Sequence, residues 1–194
     1  MASLFLASGN SHKLEELNKL LEIRGVTISL PAKAIDVEES GSSFYENAYL
    51  KARGYFERYK KPMISDDSGL MVDALPDQLG IHSARYGGEN LNDAERCKLL
   101  LDELSAVSPE KRTASFVSVL CFYLSPSEVF YFEGNLHGLI SQEIKGDAGF
   151  GYDPLFIPKG QDKSFAEIPE WKQLNSHRAV ACKSANNFFK NFFN

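Results

Sequence analysis

Two long β-rich runs, Thr113–Leu124 and Glu128–His137, are separated only by the turn Ser125-Pro126-Ser127. Strands joined by so short a turn pair antiparallel, so this chain must contain a long hairpin. A shorter strand is expected over Leu139–Glu143. The first half has a different rhythm. Ser3–Ala7 is a short apolar run stopped by Ser8-Gly9-Asn10, as a buried strand ending in a turn would be. Leu14, Leu17 and Leu21 then recur at helical spacing over Ser11–Arg24, and Gly25 ends that helix. Val26–Leu30 reads as a second strand and Ala32–Ser42 as a polar loop. Ser43-Phe44-Tyr45-Glu46 is a capping box that starts a helix running from Phe44 to about Tyr59. Past Pro62, Met63–Ser65 is a short strand, Asp66-Asp67-Ser68-Gly69 a loop or bend, and Leu70–Val72 apolar again. The stretch Pro76–Asn90 is rich in glycine and proline and should be irregular. Asn92 with Glu95 caps a helix to about Leu104. Gly146–Gly151 is a glycine-rich loop. A last helix over Ser176–Phe193 carries Ala179, Cys182, Ala185, Phe189 and Phe192 on one stripe. Strands alternating with helices, followed by a hairpin, give an α/β fold with a mixed sheet.

The chain of 194 residues is 43% hydrophobic and 24% charged, which is ordinary for a globular protein with ample core. There are 21 basic and 26 acidic residues and a net charge of −5, so no general attraction to nucleic acid is expected. A polyanion would need a local basic pocket. Cys97, Cys121 and Cys182 show neither metal spacing nor a disulfide framework, and read as the reduced thiols of a cytoplasmic protein. The start, MASLFLASGN, has no basic leader region, and no apolar run is long enough to span a membrane.

Four groups of residues can carry chemistry. Ser8, Gly9, Asn10, Ser11, His12 and Lys13 lie where a strand meets a helix. There, backbone N–H groups, the helix dipole and Lys13 can receive a phosphate. The same run is also a plain strand–turn–helix connection, and it lacks the glycine spacing of a Walker A loop. The second group is acidic: Glu38, Glu39, Glu46, Asp66 and Asp67. Carboxylates of this kind suit Mg²⁺, although Asp-Asp-Ser-Gly is equally good turn chemistry. On a strand Asp66 and Asp67 would point opposite ways, so only one would face a site. The third group is basic: Lys13, Lys51, Arg85, Lys172, His177 and Arg178. Cations at the start of a helix oppose its dipole, and an anionic ligand near Ser176-His177-Arg178 would remove that conflict. The fourth, Gly149 to Pro154, sets Phe150 and Tyr152 among glycines before Asp153. It could form a wall for a flat base, or a loop with a packed aromatic.

Taken together, these groups resemble the inosine triphosphate pyrophosphatase family, whose members act on damaged purine nucleoside triphosphates. The likeness runs from Ser8 to Arg178 in six ordered blocks: SGNSHK, EESGSSFYENAYLKA, SDDSGL, SARY, FGYDPLF and SFAEIPEWKQLNSHR. The chain departs from the pattern at Ser8, where threonine is commoner, at Leu79-Gly80, where Pro-Gly is usual, and at Asp147-Ala148, where an arginine often sits. The resemblance implies one domain over residues 1–194, built on a long mixed sheet flanked by helices, with two lobes and an active-site cleft. It implies Mg²⁺-dependent hydrolysis of ITP, dITP and XTP to monophosphate and pyrophosphate, in a homodimer. Ser8 to Lys13 would grip the triphosphate, with Lys51 and Arg85 as helpers. Asp67 would be the catalytic acid residue and a metal ligand, Glu38 a second ligand, and Glu39 and Glu46 further candidates. Ser68 would touch substrate. Phe150, Gly151, Tyr152 and Asp153 would hold the base, and Lys172, His177 and Arg178 would read its 6-oxo group or nearby phosphate oxygens. A Maf-like nucleotide pyrophosphatase is the rival enzyme, but that family opens with a different first block. A nucleotide sensor without catalysis is the rival from another class.

Overall fold

Strand β1 (Ala2–Leu6) lies between two parallel neighbours, and parallel neighbours need long crossovers. On one side is β2 (Val26–Ser29), in register Leu4 to Ile28. On the other is β3 (Met63–Val72), in register Phe5 to Met63 and Leu6 to Ile64. Helix α1 (Ser11–Leu20) lies between β1 and β2, and α2 (Phe44–Tyr59) between β2 and β3. The hairpin is β4 (Thr113–Ser125) with β5 (Glu128–Ile140), and β6 (Phe156–Pro158) adds antiparallel to β5. The sheet order is β2-β1-β3-β4-β5-β6. Helices α3 (Asp93–Glu103), α4 (Pro169–Asn175) and α5 (His177–Phe189) complete the fold. This computed structural model describes residues 2–190. The fold is therefore the mixed α/β sheet flanked by helices that the sequence predicts. Phe192 and the predicted end of the last helix at Phe193 lie outside the described residues.

The described chain divides into two compact units. The first takes residues 2–67, 118–134 and 177–190. Its core joins Leu4, Leu6, Leu17, Ile64, Leu120, Phe122 and Phe189, with the Phe122 and Phe189 rings 4.8 Å apart. Full burial of each such side chain is worth about 1.5–3 kcal/mol. The second unit takes residues 68–117 and 135–176. Leu70, Leu100, Leu104, Phe116, Leu155, Phe156 and Phe165 form its core, and Phe116 meets Phe156 edge-on at 4.8 Å. Strands β3, β4 and β5 each give residues to both units.

Helix α2 has the predicted bounds. Ser43 caps it by accepting from Glu46 N–H, and Lys60 ends it in a left-handed conformation. Asn92 and Glu95 form the predicted capping box of α3. Other elements differ from expectation. Helix α1 stops at Leu20 rather than Arg24, because Asn186 on α5 donates to Leu20 C=O and accepts from Glu22 N–H. The leucine spacing does not register that tertiary cap. Residues 66–69 form no loop, and β3 is continuous through them. The Asp66 and Asp67 side chains bond to cations rather than folding back on a turn. A Cβ on Gly69 would lie 2.1 Å from Gly80 C=O, so this glycine permits a close approach within the second unit. No separate strand forms over Leu139–Glu143. Instead β5 runs on to Ile140, because β6 pairs with residues 138–140. Helix α4 and strand β6 were not predicted. Ser176, expected to open the last helix, caps the end of α4 in an extended conformation.

Candidate active site

The first unit builds a charged cluster from four elements. The loop after β1 carries Asn10, which caps α1 by accepting from His12 N–H and Lys13 N–H. Ser8 Oγ accepts from Asn10 N–H at 3.0 Å. These bonds place Lys13 in the first turn of α1. Its Nζ lies 2.7 Å from Asp66 Oδ2 and donates to Asp66 C=O at 3.1 Å.

Asp66, in β3, is buried and receives two more donors: Arg178 Nη2 at 2.9 Å and Ser118 Oγ at 2.5 Å. Burial opposes its charge, yet Arg178 and Lys13 outweigh it and hold the carboxyl well below the usual range. Arg178, only 1% exposed near the start of α5, also pairs with Glu16 on α1. The helix-start conflict read from Ser176-His177-Arg178 is thus answered by two of the protein's own carboxylates. His177 is buried beside it. Burial pulls the Lys13 amine below its ordinary value, with Asp66 opposing and Lys51 and Arg178 adding to the pull.

Asp67, the next residue, has different partners. Lys51 on α2 places Nζ 2.7 Å from Asp67 Oδ1 and 3.1 Å from Glu39 Oε2. The other oxygen, Asp67 Oδ2, is buried and has no hydrogen-bond partner. Burial holds the Asp67 carboxyl above its ordinary value, against the pull of Lys51 and Lys13. Burial also opposes the charge of Lys51, but Asp67 and Glu39 prevail and its amine is raised.

The acidic candidates therefore separate. Glu39 shares Lys51 with Asp67, whereas Glu38 is exposed. Glu46 accepts from Ser42 N–H and Oγ at the start of α2. Among the described residues no three His, Cys, Asp or Glu side chains form a metal-binding group. Asp66 belongs to the acidic group read from the sequence but is given no role there, and Glu16 and Ser118 do not stand out in sequence at all. On a strand only one of Asp66 and Asp67 is expected to face a site, and Asp66 is the one that turns to the buried cations.

The second unit holds the loop expected to receive the base. Asp153 Oδ2 accepts from Phe150 N–H at 2.9 Å and from Lys172 Nζ at 2.6 Å. Lys172 Nζ also stands 4.6 Å from the centre of the Phe150 ring, within cation–π range. Phe150 is half-buried. Tyr152 is 5% exposed, belongs to the core, and donates to Ser83 C=O at 2.8 Å. Of the two aromatics, only Phe150 is placed to form a wall. Arg85 is exposed in a 3-10 segment (Gly80–Arg85), with Nη2 2.9 Å from His82 Nδ1. Ser68 is half-buried where β3 enters this unit.

Residues 4–188 match the Ham1 family. This chain belongs to the Ham1 family. The match bears out the resemblance drawn from the six sequence blocks and decides against the Maf-like alternative. Among relatives of this Ham1 chain, a dITP/XTP pyrophosphatase of Geobacillus kaustophilus is 43% identical over 93% of the chain and 91% of its own length. Another, of Aquifex aeolicus, is 38% identical over 97% and 96%. A solved HAM1 protein of Coxiella burnetii superposes with a TM-score of 0.88 at 36% identity, covering 98% of this chain and 99% of the other. The Staphylococcus aureus Ham1 protein gives 0.87 at 34%, over the same shares.

Proposed function

We propose that this chain hydrolyses damaged purine nucleoside triphosphates, dITP, XTP and ITP, to the monophosphate and pyrophosphate in an Mg²⁺-dependent reaction. The chain is a nucleoside-triphosphate pyrophosphatase. One observation carries the chemistry: a buried aspartate, Asp67, with one oxygen on Lys51 and the other unpartnered.

The residues fit Mg²⁺. Asp67 and Glu39 already converge on one cation, and Asp67 Oδ2 is an orphaned buried acceptor. Two carboxylates completed by substrate phosphates are a common Mg²⁺ donor set. The wider cluster sets Lys13, Lys51 and Arg178 against Asp66, Asp67, Glu16 and Glu39, so three cations face four carboxylates. Such a cluster needs added positive charge before it can accept a triphosphate. Mg²⁺ held by Asp67 and Glu39 would neutralise phosphate oxygens.

The remaining work falls to side chains. Lys13 and Lys51 bind phosphate oxygens and hold the chain of phosphates in line with the water. Asp67 orients that water and takes its proton, and Lys51 on Oδ1 holds the carboxylate in place for that role. Attack falls on the α-phosphorus and pyrophosphate leaves. Hydrolysis in ¹⁸O-water must then label the monophosphate, and label in pyrophosphate would move the attack to the β-phosphorus.

Base choice follows from donors. A 6-oxo purine accepts where adenine donates, and a buried unpaired donor costs about 1–3 kcal/mol, enough for a strong preference when two are mismatched. Lys172, fixed by Asp153 beside Phe150, is the donor best placed for this role.

The direct test is pyrophosphate release from dITP with Mg²⁺, with EDTA, and with Asp67→Asn. Release that requires Mg²⁺ and is lost in the variant supports the reading. Tight binding of dITP without turnover would make the chain a nucleotide sensor. The family resemblance further suggests a homodimer working in the cytoplasm. Sedimentation equilibrium at twice the chain mass would support the dimer.

A further inference from the structure

We propose that helix α3 sets the shape of the base-binding loop, with Asp93 and Cys97 as positioning residues for base selection. The inference rests on the reading that Phe150 receives the base, and it adds the device that holds Phe150 in place.

Gly151, directly after Phe150, is gripped at both ends of its backbone by one face of α3. Its N–H donates to Asp93 Oδ2 at 2.7 Å, and its C=O accepts from Cys97 Sγ at 3.4 Å. Residues four apart share a helix face, so one turn of α3 supplies both partners. Gly151 has φ +59°, a left-handed conformation that glycine adopts without strain. The peptide before Phe150 is fixed as well, because its N–H donates to Asp153. Both peptides flanking Phe150 are therefore pinned, one from within the loop and one from α3. With its backbone held on each side, the Cα–Cβ direction of Phe150 is set before any base arrives, and Lys172 Nζ, 4.6 Å from the ring centre, lies against the ring.

The grip is itself supported. Asp93 opens α3 directly after the cap Asn92, and the reciprocal bonds of Asn92 with Glu95 fix that turn. Arg96 Nη1 lies 3.7 Å from Asp93 Oδ1, while Arg96 Nη2 donates to Gly88 C=O. Cys97 is buried, and its thiol is pushed up to about 12 by burial, so it stays protonated as the donor this bond requires. None of the family's six sequence blocks contains Asp93 or Cys97.

The test compares Asp93→Ala, Asp93→Asn and Phe150→Ala. Steady-state hydrolysis of dITP is measured alongside competitive inhibition by tripolyphosphate, a probe with no base. Asp93→Ala should raise KM for dITP about five- to tenfold, the size of one lost hydrogen bond, with kcat within about twofold. Tripolyphosphate inhibition should not change. Asp93→Asn keeps an oxygen for Gly151 N–H and should restore KM. If Phe150→Ala raises KM and Asp93→Ala does not, α3 does not position the loop, and the base reading survives. Should Phe150→Ala leave KM unchanged, the base reading fails and takes this inference with it. Equal weakening of dITP and tripolyphosphate by Asp93→Ala would show general damage and also overturn the proposal.

Discussion

Asp66→Ala removes the acceptor shared by Lys13, Arg178 and Ser118, and its cost follows from who is left stranded. Arg178 is 1% exposed and cannot turn to water. Lys13, with 16% of its side chain exposed, partly can. Breaking a buried ion pair from one side costs about 3–5 kcal/mol because a charge remains uncompensated. Glu16 still neutralises one edge of the Arg178 guanidinium, which moves the expected loss toward the middle, about 4 kcal/mol. In a chain of this length each kcal/mol lowers Tm by about 2–4 °C, so the loss should be roughly 8–16 °C. Glu16→Gln is the internal control. Glu16 has 21% of its side chain exposed and glutamine keeps an acceptor, so about 1 kcal/mol or less is expected. The double variant Asp66→Ala/Arg178→Met removes the stranded charge along with its partner. It should cost less than the sum of its single variants, with a coupling of about 0.5–3 kcal/mol. Thermal and urea unfolding followed by circular dichroism read the parent protein, the three single variants including Arg178→Met, and the double variant. If Asp66→Ala shifts Tm by no more than Glu16→Gln does, burial is not what gives this network its weight.

Three further outcomes are expected. Lys51→Met removes the cation proposed to bind phosphate and the partner of Asp67 Oδ1, and should lower kcat for dITP by about 10²–10³ in a steady-state assay. Tyr152→Phe loses the bond to Ser83 C=O and should destabilise the fold by about 1 kcal/mol in urea titrations while leaving KM for dITP unchanged, as befits a core residue. Cys97 and Cys121 are raised to about 12 by burial, and Cys182 is raised for the same reason. A colorimetric thiol reagent at pH 8 should therefore leave the native protein almost untouched and titrate three thiols after denaturation.

Local chemistry made much of the fold legible in sequence. Ser43 with Glu46 and Asn92 with Glu95 bond within their own first turns, so the starts of α2 and α3 follow from a few adjacent residues. The hairpin turn is equally local. What could not be read was decided by distant partners. Asn186 ends α1 from 166 residues away. Strand β6 holds residues 138–140 in β5 beyond the point where the sequence suggested a break. In the candidate site, Lys13, Lys51 and Asp67 were legible because phosphate and metal chemistry call for those residue types. Glu16 and Ser118 were not, since an acid on an amphipathic helix and a serine in a strand are common everywhere. Tyr152 looked like a second wall for the base, yet its neighbours in sequence could not show that Ser83 would take its hydroxyl into the core.

Asp66 and Asp67 show how one dipeptide is given two roles. Successive side chains on a strand point to opposite sides, so the two carboxylates of β3 meet different surroundings despite being adjacent. Asp66 collects Lys13, Arg178 and Ser118, every donor stabilises its ionised form, and its pKa falls. A carboxylate so fully engaged is a poor proton acceptor and serves as an anchor. Asp67 has one cation on one oxygen and none of its hydrogen-bonding capacity used on the other, so burial prevails and its pKa rises. The proposed role of Asp67 asks for a carboxylate that Lys51 holds in place by one oxygen while the other stays open to a ligand. Had the chain turned at Asp66 as the Asp-Asp-Ser-Gly pattern suggests, both carboxylates would have reached solvent and this difference would be lost. The continuity of β3 through residues 66–69 is therefore what gives one aspartate to the buried ion network and leaves its neighbour for the role proposed above.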